Sequence, residues 1–195
     1  MTEIEVSQLC KRFGYQWIIR DFNGTFRSEN IYGIAGNNGS GKSTLVKMLC
    51  GFLSPTMGSV THIVQGAEIC KEDVYGYVSL AAPYTDLINE YTLSEMFVFH
   101  RKFKKFKTHV SFQEFEDLIQ LSGHKGKYLQ HFSSGMKQKV QLALALLSDT
   151  PFLLLDEPTS FLDKTAKSWF SEMIHNYAQN RVVIIASNEI GRAHV

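Results

Sequence analysis

The sequence predicts an α/β fold with a mainly parallel sheet, and three observations support this prediction. Short apolar runs typical of buried strands alternate along the chain with segments of helical spacing. A glycine-rich turn separates one of these strands from an amphipathic helix. With 195 residues, of which 44% are hydrophobic and 20% charged, the chain can bury one substantial core. We therefore expect one compact domain that carries an inserted helical part.

The first half of the chain contains five predicted strands and one helix. The strands either alternate polar with apolar side chains or form short apolar runs. They cover residues 4–9, 22–26, 31–35, 59–64 and 74–79. The helix is expected over residues 41–50, where apolar side chains recur at Leu45, Met48 and Leu49. Gly51 ends this pattern, so the helix should stop there.

The second half is expected to be helical at first and then to alternate helices with strands. Helical spacing of apolar residues extends over about residues 92–131, interrupted by basic side chains. The later elements are a helix over residues 135–147, a strand over 152–155, a helix over 164–180 and a strand over 182–186. These two strands are almost wholly apolar, which is typical of strands buried on both faces of a parallel sheet.

Bulk properties exclude several classes of protein. Lys and Arg number 20 and Asp and Glu number 19, so no overall field points to nucleic acid or to an acidic membrane surface. The three cysteines lack metal-ligand spacing and predict neither a disulfide framework nor a zinc site. No apolar run approaches the roughly 20 residues of a transmembrane helix, and no secretory signal is recognisable at the N-terminus. We expect the chain to stay in the cytoplasm, so a transport role would need a membrane-spanning part in another polypeptide or in a part of this one that the given sequence lacks.

The glycine-rich turn matches the phosphate-binding P-loop pattern of Gly, four residues, Gly-Lys and Ser or Thr. The predicted ATP-binding residues in and next to it are Gly36, Asn37, Asn38, Gly39, Ser40, Gly41, Lys42, Ser43 and Thr44. Glycines let backbone N–H groups point at phosphate oxygens, and the next helix presents its positive N-terminal end to them. Lys42 would approach the β and γ phosphates, and Ser43 would ligate Mg²⁺. The alternative, a flexible loop with an exposed lysine, is disfavoured by the position of the turn between a strand and a helix.

Two carboxylates follow the apolar run at residues 152–155. Asp156, at the end of the predicted strand, would support Mg²⁺. Glu157 would point toward the γ phosphate and polarise the attacking water as a general base, so it is the predicted catalytic residue. Taken alone, the pair has the alternative interpretation of a strand that ends in two solvated acids.

A further set of motifs resembles the ATP-binding-cassette (ABC) family. Residues 132–138 are similar to the Leu-Ser-Gly-Gly-Gln signature of that family. The corresponding signature positions are Ser133, Ser134, Gly135 and Met136. Residues 156–160, followed by Leu162 and Asp163, resemble the Walker B extension and the D-loop. Together with the P-loop, the likeness spans nearly the whole chain.

The resemblance implies a P-loop NTPase fold of the ABC type, with ATP and Mg²⁺ as cofactors. Residues 1–188 would form one ABC ATPase domain with an N-terminal antiparallel β part and a helical subdomain at about 84–134. In a head-to-tail homodimer, each ATP would lie between one subunit's P-loop and the other's signature, with Ser133 and the backbone of Gly135 donating to the γ phosphate. The helical subdomain would contact a transmembrane permease subunit, so we expect the chain at the cytoplasmic face of the membrane.

Three regions depart from the family pattern or are only loosely fixed by it. An adenine-stacking aromatic residue is expected soon after the first strand, and Phe13 is the candidate, with Tyr15 and Trp17 nearby. Residues 78–83 align with the family's Q-loop but contain no glutamine. Asn188 occupies the place of the switch histidine. An amide can hydrogen-bond the γ phosphate but cannot carry a proton, so slow hydrolysis is expected.

ATP-driven transport is the favoured function, and two others remain open. The chain could be a soluble ABC-type ATPase that acts on ribosomes or DNA, or a weakly hydrolysing regulatory cassette. The basic and aromatic run at residues 100–107 suggests nucleic-acid contact. Such a run is more often a solvated helix face with buried phenylalanines, and no nucleic-acid partner is expected.

The last residues of the sequence have a different expected origin. Residues 190–195 match the translation, up to its stop codon, of a common short-read sequencing adapter, and Glu189 fits the codon before it. We therefore expect residues 189–195 to be non-native, with the reliable sequence ending at Asn188 and the natural C-terminus beyond it. A genuine short tail is the alternative, and resequencing the gene from source DNA distinguishes the two.

Overall fold

The computed structural model describes residues 1–28 and 30–188. The expectation that residues 189–195 are non-native therefore lies outside the described residues. Within the described ranges, none of the helices has both the length and the apolar character that crossing a membrane requires.

Two compact units make up the described chain. Of the described residues, the sheet unit comprises Met1–Leu80, Thr150–Glu157 and residues 180–188, and the helical unit comprises Ala81–Asp149 and Pro158–Gln179. The elements in chain order are β1 (Glu3–Phe13), β2 (Gln16–Arg27), β3 (Ile31–Ala35), α1 (Lys42–Leu49), β4 (Met57–Val64), β5 (Ala67–Glu68), α2 (Val74–Tyr77), β6 (Val78–Ala81), α3 (Leu93–Phe103), α4 (Phe112–Leu118), α5 (Ser134–Leu147), β7 (Phe152–Asp156), α6 (Lys164–Tyr177) and β8 (Val182–Ser187).

An antiparallel sheet in the order β2-β1-β4-β5 forms one part of the sheet unit. The central strand β1 pairs with β2 and with β4, so that Glu3 lies opposite both Arg27 and Ile63. The hairpin between β1 and β2 turns at Gly14, whose φ of 55° lies in the left-handed region that glycine adopts without strain. This is the antiparallel N-terminal part that the family resemblance implies.

A second sheet has the strand order β3-β8-β7-β6. β8 pairs in parallel with β3 and with β7, which brings Val183 opposite both Ile31 and Leu153. All residues of β7 are buried, as expected for a strand of a covered parallel sheet. The predicted α/β fold with a mainly parallel sheet is confirmed.

The strand predicted at residues 74–79 is wrong for its first four residues. Val74–Tyr77 forms one helical turn, and the strand begins only at Val78. Val74 and Val78 are both buried while Tyr75 is exposed. Two apolar residues four positions apart face the same side in a helical turn as well as in a strand, so the apolar pattern does not distinguish them.

Side-chain caps fix where the helices of the helical unit begin. Thr92 and Glu95 form a capping box at α3, and Ser111 and Glu114 form another at α4. These reciprocal hydrogen bonds satisfy backbone N–H groups that the first helical turn leaves without partners. They also leave both glutamates ionised, because hydrogen bonds from the cap residue lower the pKa of each carboxyl group.

Aromatic rings fill much of the interior of the helical unit. The ring of Phe97 lies 5.6 Å from Phe106, 5.4 Å from Phe112 and 4.9 Å from Phe115, centroid to centroid. Edge and tilted contacts of this kind add to the stabilisation from apolar burial. The basic run at residues 100–107 contains two phenylalanines that differ in their surroundings. Phe106 packs against Phe97, whereas Phe103 is exposed.

His100, in the same basic run, is largely buried against α5. Its Nε2 lies 2.8 Å from Ser148 Oγ, and the Ser148 hydroxyl donates to Leu144 O at 2.6 Å, so the imidazole is the donor to Ser148. Burial first, and then the nearby Lys104 ammonium, lower the pKa of His100 from 6.5 to about 4.

The stability of the protein should therefore depend on pH through His100. The unfolded chain binds a proton at this side chain below about pH 6.5 while the folded chain does not, so the stabilising contribution is complete above pH 6.5 and is lost as the pH falls toward 4. The free energy of unfolding should fall by about 3 kcal/mol over this window. In urea unfolding, His100→Gln should flatten this dependence, whereas His175→Gln at an exposed site should not. An equal pH slope in His100→Gln and the wild type would contradict the assignment.

Candidate nucleotide-binding site

The predicted P-loop connects β3 to α1 within the sheet unit. Gly39 and Gly41 have φ values of 81° and 98°, which only glycine adopts at low cost. A Cβ atom at Gly41 would also lie 2.9 Å from Ile18 Cγ2, so the loop passes closely over β2. Gly41 is the N-cap of α1 and provides no side-chain cap. The first backbone N–H groups of α1 therefore stay available to an anion.

Lys42, the first residue of α1, turns its ammonium group back into the loop. Its Nζ donates to Gly36 O at 2.7 Å, to Asn37 O at 3.2 Å and to Asn188 Oδ1. The side chain is only 7% exposed. An ammonium group has three donors, so a phosphate oxygen that binds Lys42 must replace one of these acceptors.

Glu157 and Asn188 converge on the same lysine from the ends of neighbouring parallel strands. Glu157 Oε1 lies 3.6 Å from Lys42 Nζ, and Glu157 Oε2 accepts from the backbone N–H of Asn188 at 3.4 Å. The Asn188 amide donates through Nδ2 to Asn38 Oδ1, which ties the switch position to the P-loop. The structure therefore brings the predicted lysine, the predicted base and the switch position together.

The backbone at Glu157 is unusual for a residue with a side chain. Its φ is 48°, in the left-handed region, and its N–H donates to Ala186 O at 2.8 Å. A non-glycine residue in this region costs of order 1 kcal/mol or more, which the surrounding structure must offset. The conformation turns the carboxylate away from the strand direction of β7 and toward the P-loop lysine. Strain of this kind is commonly found at functional sites.

The donors predicted for Mg²⁺ are also in the sheet unit. Ser43 is the second residue of α1, and Asp156 is the fully buried last residue of β7. A hydroxyl and a carboxylate are oxygen donors of the kind Mg²⁺ uses, with water and phosphate oxygens completing its shell. The residues present therefore fit the ion. Among the described residues, no group of three or more His, Cys, Asp or Glu forms a separate metal site.

A cleft of about 580 Å³ opens beside the P-loop. Ser40, Gly41 and Lys42 form one wall of it. The opposite wall comes from β2, whose lining residues are Ile18, Ile19, Arg20, Asp21, Phe22 and Asn23. Sequence reasoning did not assign these residues to the site, because nothing in a strand pattern says which loop the strand faces. The sequence gives no signal for this wall, because the close approach of Ile18 to Gly41 joins segments that are distant in the chain.

Phe13 lies at the end of β1 and is not among the residues that line this cleft. Its ring is half exposed, with the Lys11 ammonium 5.1 Å from the ring centroid. Of the two other aromatic side chains nearby, Tyr15 is fully exposed, and Trp17 has Arg12 at 5.3 Å from its ring. The adenine-stacking role of Phe13 stays a prediction.

The signature and D-loop residues are in the helical unit, where they begin two helices. Ser133 is the N-cap of α5, and its Oγ accepts from Met136 N at 3.2 Å. Asp163 is the N-cap of α6, and its Oδ1 accepts from Ala166 N at 2.8 Å. Ser134 is exposed at the first position of α5. The positive end of a long helix is thus exposed at the signature.

Gly135 is the signature residue with the tightest packing. A Cβ atom there would lie 3.1 Å from the backbone oxygen of Phe161, so a side chain would press on the segment before Asp163. Gln138 ties the same helix to that segment, because its Nε2 donates to Pro158 O at 3.0 Å. The signature and the D-loop are therefore coupled by packing within the helical unit.

The segment aligned with the Q-loop is held by a threonine rather than by a glutamine. Thr85 Oγ1 donates to Ala82 O at 2.8 Å, and the N–H of Ala82 approaches the same hydroxyl at 3.0 Å. Gln141, from α5, donates to Thr85 O. A glutamine amide therefore does reach this segment, from a helix rather than from the loop itself.

Comparison with known proteins identifies the family. A family model described as ABC transporter matches residues 19–160. The chain is 28% identical over 184 residues to the bacitracin transport ATP-binding protein BcrA of Bacillus licheniformis, covering 94% of this chain and 60% of that protein. It is 30% identical over 178 residues to the ABC transporter ATP-binding protein NatA of Bacillus subtilis (strain 168), covering 88% of this chain and 72% of that protein.

A solved structure with the same fold supports the match. The ATP binding subunit of an ABC transporter superimposes with a TM-score of 0.82 over 97% of this chain and 81% of that chain, at 23% identity. At this identity the likeness establishes the fold alone. The chain spans 60% of the length of the bacitracin transport protein, so similarity does not extend to the whole of that relative.

Proposed function

This chain belongs to the ABC transporter family, and on that premise we propose that it binds and hydrolyses ATP to power transport through separate membrane subunits. The observation that carries the proposal is the convergence on Lys42. The ammonium group of Lys42 lies 3.6 Å from the carboxylate of Glu157, which is in the general-base position, and it donates to the side chain of Asn188 at the switch position. Phosphoryl transfer needs such a site, because its catalysis is mainly positioning and charge stabilisation.

In the proposed mechanism, Lys42 exchanges an acceptor for a phosphate oxygen. The β and γ phosphates lie against the P-loop backbone and the N-terminus of α1, where N–H groups and the helix dipole favour negative charge. Asn188 Oδ1 is the acceptor that can leave, since the other two belong to the loop itself. ATP binding would thus free the Asn188 amide to reorient toward the γ phosphate.

Glu157 is the proposed general base. Its carboxylate accepts a proton from the water that attacks the γ phosphate, and its Oε1 lies 3.6 Å from Lys42 Nζ. Ser43 and Asp156 would hold Mg²⁺, which supplies charge neutralisation at the phosphates when bound. We still expect slow hydrolysis, because the amide of Asn188 cannot take up or release a proton.

The proposed dimer uses the exposed N-terminus of α5. Ser133, Ser134 and the backbone of Gly135 would donate to the γ phosphate bound by the P-loop of a second copy of the chain. ATP bound between two subunits stabilises the dimer by mass action, and hydrolysis removes that stabilisation. This cycle would drive separate permease subunits, with the chain at the cytoplasmic face of the membrane.

A direct test compares ATP binding, ATP hydrolysis and ATP-dependent dimerisation in the purified protein. Turnover together with a dimer that appears only with ATP would support the motor function. Binding without turnover in the free protein, followed by turnover once membrane subunits from neighbouring genes are added, would support a partner-activated motor. The proposal fails if ATP does not bind when the protein is folded by circular dichroism.

The switch position gives a prediction for pH dependence. Asparagine does not titrate, so residue 188 should contribute no limb to the pH profile of kcat between about pH 5.5 and 8. Asn188→His should raise kcat at neutral pH by about tenfold and introduce a limb near pH 6.5, because an imidazole can both donate to the γ phosphate and exchange a proton.

The matched control for this prediction is Asn188→Gln, which lengthens the side chain but keeps a neutral amide. It should change the rate without adding a limb to the profile. If Asn188→His and Asn188→Gln have the same pH profile, residue 188 does not act at the γ phosphate.

A further inference from the structure

The side-chain amide of Asn188 contacts the P-loop through both of its polar atoms. Its Oδ1 accepts from the Lys42 ammonium, and its Nδ2 donates to Asn38 Oδ1. The backbone N–H of Asn188 adds a longer contact of 3.4 Å to Glu157 Oε2. The residue at the switch position is therefore bound to the phosphate loop by two side chains, of which only Lys42 has a part in the proposed mechanism so far.

The charge of Lys42 fixes the direction of this amide. An ammonium group only donates, so it must face the amide oxygen rather than the amide nitrogen. The opposite rotamer would set two donor groups, Asn188 Nδ2 and Lys42 Nζ, against each other. The nitrogen therefore points away from Lys42, where Asn38 Oδ1 accepts from it. Both neighbours favour the same orientation of the amide.

In this orientation the oxygen of Asn188 uses a donor that a nucleotide phosphate needs. Lys42 has three donors, and they go to Gly36 O, Asn37 O and Asn188 Oδ1. The two carbonyls belong to the loop backbone, whose curvature aims N–H groups at phosphate, so the amide oxygen is the acceptor that phosphate displaces. One rigid amide group carries both side-chain contacts, so this displacement also breaks the bond to Asn38.

The two hydrogen bonds of the amide lie in different surroundings. Lys42 is only 7% exposed, so its bond to Asn188 is charge-assisted and largely shielded from water. Asn38 and Asn188 are exposed, so the bond between them adds no more than an ordinary hydrogen bond. Lys42 therefore supplies most of the attraction, and Asn38 acts by keeping the amide oxygen directed at the ammonium.

We propose that Asn38 is a positioning residue that holds Asn188 on Lys42, and that this asparagine pair competes with the phosphates of nucleoside di- and triphosphates. The apparent dissociation constant is then the intrinsic constant divided by the fraction of molecules in which the pair is open. The pair thus lowers the affinity for both nucleotides. The inference rests on nucleotide binding at the P-loop, which is part of the proposed function, but not on hydrolysis or dimerisation.

ADP separates this competition from the proposed contact of Asn188 with the γ phosphate. The β phosphate of ADP still requires Lys42, but ADP has no γ phosphate for Asn188 to contact. Asn188→Ala should therefore strengthen ADP binding by about two- to tenfold, the equivalent of one net hydrogen bond. ATP binding should strengthen less, because the same substitution removes the γ-phosphate contact. If Asn188 only stabilised the loop, its removal would weaken the binding of both nucleotides.

A double-mutant cycle on the full protein tests the role of Asn38. Calorimetric titration with ADP compares the wild type, Asn38→Ala, Asn188→Ala and the double variant. Any gain in affinity from Asn38→Ala should disappear in the Asn188→Ala background, because Asn38 then has no amide to hold. Asn37 supplies the matched control, since its contact with Lys42 is through the backbone carbonyl. The effects of Asn37→Ala and Asn188→Ala on ADP affinity should be additive.

The outcomes separate this inference from the proposed function. Unchanged or weaker ADP binding in Asn188→Ala overturns the inference, as does a cycle between Asn38 and Asn188 that is as additive as the cycle with Asn37. If ATP binding and turnover are normal in the wild type, either result leaves the proposed function standing. A folded wild-type protein that binds neither nucleotide would overturn the proposed function together with this inference.

Discussion

Replacing Lys42 with alanine should weaken ATP binding by roughly 30- to 700-fold, which corresponds to about 2 to 4 kcal/mol of lost interaction with the phosphates. The reason is the site geometry: the Lys42 ammonium is 7% exposed and is surrounded by the P-loop carbonyls, Glu157 and Asn188. No other cation is in the described lining of the adjoining cleft except Arg20. Fluorescence titration with a labelled ATP analogue measures the change.

Two further variants separate loss of the phosphate contact from loss of the fold. Lys42→Arg keeps the positive charge and should retain part of the affinity, although the planar guanidinium cannot reproduce the ammonium contacts. Lys47→Ala removes a lysine from the same helix away from the loop and should leave the dissociation constant within about twofold. Wild-type affinity in Lys42→Ala would rule out the proposed phosphate site.

Changing Glu157 to glutamine should reduce kcat by about 100- to 10,000-fold while ATP still binds, because an amide cannot accept the proton of the attacking water. The substitution keeps the size of the side chain, and the backbone hydrogen bond from Glu157 N to Ala186 O is unaffected by it. It also removes the negative charge 3.6 Å from Lys42, so ATP affinity should rise rather than fall. Steady-state phosphate release measures kcat.

The same variant tests the dimer. With hydrolysis blocked, ATP should hold two copies together, and light scattering after size-exclusion chromatography should detect a dimer that Mg²⁺-ATP induces. Glu172→Gln makes the same chemical change at an exposed position of α6 and should hydrolyse ATP like the wild type. Unchanged turnover in Glu157→Gln would assign the general base elsewhere and remove the main support for the proposed mechanism.

Motifs at short sequence separation were predictable because their chemistry dictates their residues. A phosphate loop needs glycine where φ is positive, and Gly39 and Gly41 have φ values of 81° and 98°. A signature helix needs a cap, and Ser133 accepts from Met136 N as an N-cap does. These requirements are local, so the sequence predicts them without knowledge of the remaining fold.

Contacts between distant segments were not predictable in the same way. Asn188 was singled out for its place after a strand, but its contacts with Asn38 and Lys42 join residues about 150 positions apart. The sequence also did not show that β2 lines the cleft beside the P-loop, because this depends on how β2 and α1 pack together. The short helical turn at Val74 was missed because burial of every fourth residue fits a strand pattern too.

In the run at residues 100–107, the sequence did not predict which side chains are exposed. Composition alone indicated a solvated face with buried phenylalanines. The structure leaves His100 and Phe106 half-buried and Phe103 exposed, because each side chain's direction depends on where α3 ends and on which neighbours pack against it. The local charge of the surface differs accordingly from the balanced net charge of the chain.

By itself, the sequence determined the fold class, and it predicted the P-loop and the pair of acids at the end of β7 from local backbone chemistry and from the burial pattern of strands and helices, and the signature from a family resemblance. The tertiary structure decided which acceptors surround Lys42 and that the imidazole of His100 lies 2.8 Å from the hydroxyl of Ser148. The reason is physical: a side chain's partners and solvent exposure are set by packing between segments that are far apart in the chain, and packing depends on the whole fold.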